Sequence, residues 1–338
     1  ELETYQYSAT SPDSLPLNNI TRITEDNDGQ IWMSTRGAGL VFYNSMTNSF
    51  KKFYADPNDK NTPYSSDILT LFCDSSGMIW LGYSNGFSRF NPKDHSFHHY
   101  ISGSDGIPYT GEIGSFAQTS DGIIWAATQL SGLLRIEPST GAISAYSHEE
   151  GKEATLVSGR LSNLIADRND DLWITSENSG ISRYSPGQDL VRNYVNSEED
   201  PSSLSSNITS DILEDNEGRI WVATNNGLNR FIAETDSFMG YNSLNTDLHE
   251  DLIVSIYQTR EGKFWVGTQS GLVSGMKTDF QKFDRSRGNL SNDSVNAFAE
   301  STDGSLWVGT DDGLNRLRPE NTEFDWINES TEPAISDP

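Results

Sequence analysis

The sequence predicts an all-β chain, a seven-bladed β-propeller of four-stranded antiparallel blades, from three observations. The first is a period. Trp32, Trp80, Trp125, Trp173, Trp221, Trp265 and Trp307 follow one another at gaps of 48, 45, 48, 48, 44 and 42 residues, and Trp326 alone falls outside the series. A repeat of this length marks a solenoid, a propeller or an array. The second is that every period holds four short runs rich in Ile, Val, Phe, Tyr, Trp and Thr, bounded by Gly, Asn, Asp or Ser, which is how strands are written. The third is the turn chemistry. Asp28-Gly29, Asp121-Gly122, Glu217-Gly218, Glu261-Gly262 and Asp303-Gly304 separate runs one and two, and Gly39, Gly86, Gly132, Gly180, Gly227, Gly271 and Gly313 separate runs two and three. Hairpin turns want residues tolerant of positive φ at such places.

Each run has its own character. Run one is apolar-rich, as in SVNAFAE (Ser294 to Glu300), and run two carries the tryptophan, as in RIWVAT (Arg219 to Thr224). Run three follows the glycine, as in GLNRF (Gly227 to Phe231), and run four is aromatic, as in SFKKFY (Ser49 to Tyr54). A lone sheet of this composition cannot bury its tryptophan, whereas a neighbour on each face can. Full burial of one Trp, ~200 Å², stabilises by up to roughly 5 kcal/mol at ~25 cal/mol/Å². An open solenoid would need polar caps, and none is visible, so the repeats predict a closed ring.

Ring closure needs a strand from a chain end. Thr4 to Ser8 (TYQYS) and Glu323 to Glu329 (EFDWINE, with Trp326) both read as a fourth run, and one of them is expected to complete the last blade. Repeat one covers about Leu15 to Ala55 and repeat seven about Leu290 to Asn328. Residues 1–328 are thus expected to form one propeller, with 329–338 as a tail. The first residues do not read as a signal peptide, so the chain is expected to be mature or an excised domain.

Among 338 residues, 23 Lys and Arg face 49 Asp and Glu, a formal charge of −26. Such a surface repels phosphate backbones and anionic lipid, which argues against nucleic acid and against direct membrane contact. No run of eighteen apolar residues occurs. Cys73, the single cysteine, stands in an apolar run and reads as a small buried hydrophobe. The D-x-D-G turns lack the longer ligand series of a calcium loop. His98 and His99 alternate along an outer strand with His95 nearby, so a shared metal site is not predicted. No P-loop, nucleophile elbow, H-E-x-x-H or C-x-x-C occurs, so the sequence predicts no cofactor, no metal and no catalytic residue.

The pattern I-x-E-D-x-x-G-x-I-W-x-x-T-x-x-G-L-x-R-[FY] resembles the two-component regulator propeller repeat. It reads ILEDNEGRIWVATNNGLNRF from Ile212 to Phe231 and ITEDNDGQIWMSTRGAGLVFY from Ile23 to Tyr43. The resemblance covers essentially the whole chain. It implies the periplasmic, ligand-sensing part of a membrane-bound signalling protein, non-enzymatic itself, with a histidine kinase or diguanylate cyclase downstream and homodimerisation through the full-length receptor. The Arg that recurs at Arg89, Arg135, Arg183, Arg230 and Arg316 is expected to tie neighbouring blades together.

A propeller carries its site at the funnel of the central channel. The residues after each second run, Arg36, Tyr83, Gln129, Glu177, Asn225, Gln269 and Asp311, differ from one another where a structural position would repeat. They are the candidate ligand-binding ring, suited to a polyhydroxylated ligand such as an oligosaccharide. Two rival readings stay open. Propellers also host lyases and hydrolases, which two funnel carboxylates would favour, and they also serve as scaffolds, which a large exposed apolar patch would favour.

Overall fold

A computed structural model describes residues 3–319, apart from 12–13, 104–105, 109, 151–154, 247, 277–278 and 288–289. The described residues form seven four-stranded antiparallel sheets. The innermost strands are Ile20–Glu25, Thr70–Cys73, Ile113–Gln118, Leu161–Ala166, Thr209–Glu214, Ile253–Gln258 and Val295–Glu300, and they open blades 1 to 7 in that order. In blades 1 to 6 the four strands follow consecutively from the channel outward. Each innermost strand packs on the innermost strands of both neighbours, and blade 7 meets blade 1, so the ring is closed.

The closing strand comes from the N-terminus. Glu3–Tyr5 pairs antiparallel with Gly313–Leu317, in the register Glu3 to Arg316, Thr4 to Asn315 and Tyr5 to Leu314. The strand begins one residue before, and ends three before, the stretch the sequence marked. Tyr5 stacks on Trp307 at 6.0 Å and its hydroxyl bonds that of Tyr43 in blade 1 at 2.9 Å. The rival strand, Glu323 to Glu329, and the 329–338 tail lie outside the described residues.

The tryptophan run is buried from end to end in most blades. Each tryptophan packs into the gap toward the next blade. Trp32 joins Ile68, Leu71 and Ile79 of blade 2, Trp80 joins Ile113 and Phe116 of blade 3, and Trp307 joins Ile23 and Met33 of blade 1. The first acid of the D-x-D-G turn explains itself here. Asp26 Oδ1 accepts the backbone N–H of Asp28 and of Gln30, both at 3.0 Å, while Oδ2 accepts Trp32 Nε1 at 2.7 Å. Asp74, Asp167 and Asp215 do the same for Trp80, Trp173 and Trp221. Blades 3 and 7 substitute a hydroxyl, with Thr119 accepting from Trp125 and Ser301 from Trp307. There Asp121 and Asp303 take over the turn, so the D-x-D-G turns are tryptophan anchors as well as hairpins.

The Glu or Gln just before the residue that opens the turn is a clamp between blades. Glu25, Gln118, Glu214, Gln258 and Glu300 each accept a turn N–H from the preceding blade, from Thr302, Ser75, Arg168, Asn216 and Arg260 respectively. Glu25 also receives Arg260 Nη2 at 2.7 Å.

In the fourth repeat the positive-φ position of the turn is held by Asp170 (φ 64°), and Asp171 pairs with Arg183. Two sequence expectations change. The recurring arginines lie directly opposite the tryptophans in register, and Arg183 and Arg316 sit over the rings of Trp173 and Trp307 at 5.2 and 4.9 Å. Arg89 follows the expected pattern, donating to Pro138 O of the next blade at 3.2 Å, and the Arg183 guanidinium lies 6.0 Å from the ring of Phe231 in blade 5. Cys73 is half-buried, and burial beside Asp26 and Asp74 pushes its thiol up to about 12, which makes it unreactive.

Candidate functional site

The central channel is a cavity of about 1080 Å³ walled by the innermost strands. Its chemistry comes from one recurring irregularity. In six blades the innermost strand slips register after its first residue, between Ile20 and Arg22, Ile113 and Ser115, Leu161 and Leu164, Thr209 and Asp211, Ile253 and Ser255, and Val295 and Ala297. A β-bulge leaves an extra residue unpaired and re-aims side chains. Both residues after the slip line the channel in each of these blades.

Most of the polar ones are spent on the wall itself. Thr21 Oγ1 donates to Ile68 O at 3.0 Å, Ser115 Oγ to Leu164 O at 3.3 Å, Ser210 Oγ to Ile253 O at 2.6 Å, and Ser255 Oγ to Val295 O at 3.2 Å. Each of these bonds crosses to a backbone carbonyl of the next blade and ties the innermost strands together.

Two charges face the channel on this ring, Arg22 in blade 1 and Asp211 in blade 5. Asp211 Oδ1 accepts Ile212 N at 2.9 Å and Asn163 Nδ2 at 2.6 Å, and Oδ2 accepts Ile256 N at 2.9 Å. Burial raises its carboxyl to about 6, and those donors together with the Arg22 charge hold it from rising further. Because the folded pKa lies above the unfolded one, Asp211 stabilises relatively more in acid, and that advantage fades as pH rises from about 4 through 6. Asp211→Ala is therefore expected to cost about 2 kcal/mol less at pH 7.5 than at pH 4. Chemical denaturation of both proteins at the two pH values measures it, and an equal cost would show that Asp211 ionises normally.

The predicted mouth ring is placed by backbone bonds. Arg36 N, Gln129 N, Asn225 N and Asp311 N donate to Asn19 O, Glu112 O, Ile208 O and Ser294 O, the residue just before each innermost strand. The strand that carries the tryptophan thus extends to the channel rim. Arg36, Gln129 and Asp311 line the cavity, and Asp311 Oδ1 accepts Asn296 Nδ2 at 2.9 Å and Asn19 Nδ2 at 3.2 Å. Glu177 instead lies exposed beside Arg160 at 3.6 Å, and Asn225 and Gln269 stand outside the cavity lining. Tyr83 is a correction. It is fully buried in the core between blades 1 and 2, because it stands three residues after its tryptophan and the mouth position stands four after. Ser84 occupies that position in blade 2 and is exposed.

Arg22, Asn163 and Asp211 were not singled out from sequence, although a signal was present. Aligned on run one, the third position reads Arg22, Thr70, Ser115, Asn163, Asp211, Ser255 and Ala297, polar in six of the seven repeats and followed by an apolar residue in all of them. Strict alternation misses it because the bulge puts two successive residues on one side. The outer-strand histidines take separate roles. His99 bonds Ser88 Oγ at 2.7 Å and Lys60 O at 3.1 Å, His98 packs on Tyr100 at 4.6 Å, and His95 stands in the turn before the strand. Among the described residues no cluster of three His, Cys, Asp or Glu is arranged to hold a metal, and no helix is long and apolar enough to cross a membrane.

Fold and channel together define a seven-bladed β-propeller domain with a polar central channel. More particularly, residues 14–37, 202–226, 247–270 and 289–312 match the two component regulator propeller family, and these four stretches carry that family's repeat. A 64-residue stretch is 31% identical to Histidine kinase P4 of Formosa agariphila, over 19% of this chain and 5% of that protein. The extracellular domain of a putative hybrid two component system of B. thetaiotaomicron superposes with a TM-score of 0.73 at 17% identity, over 94% of this chain and 39% of that one. Virginiamycin B lyase of Staphylococcus aureus superposes at 0.68 with 14% identity, over 94% and 99% of the two chains. At these identities the structural likeness is one of fold. The chain spans a twentieth of the kinase and about two fifths of the two component ectodomain.

Proposed function

We propose that this propeller is the extracytoplasmic ligand-sensing domain of a membrane-bound signalling protein. It takes a small ligand, an oligosaccharide in our reading, in the central channel and passes occupancy to a downstream kinase or cyclase. The observation that carries the proposal is the channel itself. Its scaffold bonds repeat around the ring, while the groups facing inward, Arg22, Arg36, Glu112, Gln129, Asp211 and Asp311, do not repeat. Structural positions recur in a repeat protein, whereas recognition positions diverge. Hydroxyl-rich ligands match this mixture of planar amides, guanidinium and carboxylates.

The lyase reading has less behind it. Replacing one histidine by alanine makes virginiamycin B lyase catalytically inactive, whereas no histidine lines this channel among the described residues. The test is a thermal-shift screen against oligosaccharides, with amino acids and divalent cations as controls. A ligand at a hundred times its dissociation constant should add about 2.7 kcal/mol of stability. A saturable shift that Gln129→Ala abolishes supports the channel site. A shift that Gln129→Ala and Arg36→Ala both leave intact places binding elsewhere.

A further inference from the structure

We propose that the channel ligand carries a carboxylate, and that Arg22 reads it; the proposal deepens the sensing role above and rests on it. The argument is an imbalance between donors and acceptors in the channel wall. Two of the three acids that line the channel, Asp211 and Asp311, already receive N–H donors, whereas no described residue donates to the Glu112 carboxylate. Asp211 receives three N–H groups across its two oxygens, and Asp311 Oδ1 receives two asparagine amides. Arg22 is the opposite case. Among the described residues its one side-chain bond runs from Nη1 to the carbonyl of its own neighbour Thr21, at 2.9 Å. A guanidinium carries five N–H donors in a planar fork. None of Arg22's nitrogens is among the buried atoms left without a partner, so the remaining donors open onto the channel.

No direct ion pair joins Arg22 to Asp211 or to any other described acid. The fork is therefore held near an acid most of whose lone pairs are taken by three N–H donors, and it stays free for a ligand. The bulge after Ile20 is what puts it there. It sets Arg22 opposite Ser34 rather than continuing the alternation from Ile20, and Thr21 and Arg22 both end up on the channel wall. Arg36, at the outer end of the neighbouring strand in the same blade, lines the same cavity. Two guanidiniums thus mark one side of the channel, one inside and one at the rim. Bidentate pairing with a carboxylate suits this donor geometry.

The formal charge of −26 does not oppose this. At physiological salt the Debye length is about 8 Å, so scattered surface acids are screened while a guanidinium recessed in the wall acts on what touches it. Among channel-sized ligands that combine hydroxyls with a carboxylate, uronic-acid oligosaccharides are the class selected.

The test is calorimetric titration of the full 338-residue chain with three probes, namely tetragalacturonate, the same tetramer as its methyl ester, and cellotetraose. Free galacturonate is added to separate a sugar chain from a bare carboxylate. Saturable binding of tetragalacturonate is expected, weakened roughly tenfold to a hundredfold by esterification and by Arg22→Gln, and partly restored by Arg22→Lys. Arg192→Gln, which removes a guanidinium from an outer strand, should change nothing. Esterification tests the same charge from the ligand side if Arg22→Gln fails to fold. Equal binding of the ester or of cellotetraose overturns the carboxylate and leaves the channel sensor standing. Binding of tetragalacturonate that a folded Arg22→Gln retains overturns Arg22. Absence of binding by every acidic probe, with a shift in the neutral oligosaccharide screen, overturns the proposal alone, and silence in both overturns it together with the sensing role.

Discussion

Asp74→Ala is expected to lower the stability of the ring by about 3–5 kcal/mol, far beyond an ordinary hydrogen-bond deletion. Asp74 is 3% exposed and its carboxylate serves four donors. Oδ1 accepts Ser76 N at 2.9 Å, Ser76 Oγ at 2.5 Å and Met78 N at 3.0 Å, and Oδ2 accepts Trp80 Nε1 at 2.8 Å. Removing it strands the indole N–H of a fully buried tryptophan and frees the turn that aims it. Trp80 in turn holds Ile113 and Phe116 of blade 3, so the damage crosses a blade boundary. Blade 3 shows the remedy, since Thr119 accepts from Trp125 at 3.1 Å and Asp121 supports the turn from two residues on. The double change Asp74→Thr with Ser76→Asp should therefore recover most of the loss, whereas Asp74→Thr alone should not. Urea unfolding of the three variants measures this. A double variant no better than Asp74→Thr would show that the two turn chemistries are not interchangeable.

The same comparison shows what the sequence could reveal. Blade number, strand order and the closed ring were legible because each rests on a feature repeated seven times, and repetition separates a structural residue from chance. The functional role of the turn acids was half legible. Asp26 and Gly29 announce a hairpin, but the Trp32 indole that completes the site is six residues from Asp26 and is brought back only by strand pairing. Glu25 and Gln118 clamp blades through partners 277 and 43 residues away, so their role appears only once the ring exists. At the channel the mouth position was legible in blades 1, 3 and 7, whose Arg36, Gln129 and Asp311 line the cavity. It was misplaced by one residue at Tyr83, where a Tyr stands at a position that is Thr or Ser in the other blades. Arg22 and Asp211 were hidden by the bulge, which breaks the period of two on which strand reading depends.

That bulge also sets up the most severe single-methyl change in the wall. Gly114→Ala is expected to cost about 3 kcal/mol or more, the upper end for overpacking, because the added methyl would meet backbone rather than a side chain that could turn away. A Cβ built on Gly114 lies 1.9 Å from Ser162 O and 2.8 Å from Ser162 C, in the next blade's innermost strand. Neither strand can retreat alone, since blade 3 is tied to blade 4 by Ser115 Oγ to Leu164 O and the ring allows no free end. Relief requires the blade 3–blade 4 gap to widen, which would displace Asn163 relative to Asp211 and spoil the channel wall as well as the core. The variant should therefore lose both stability and affinity for whatever probe the parent binds. Gly187→Ala, in an outer turn with nothing within 4 Å, should stay within about 0.5 kcal/mol and keep that affinity. Thermal unfolding and titration of the pair decide it. A Gly114→Ala protein as stable as the parent would mean that the innermost strands can separate without cost, and then the channel's width could not be set by the ring.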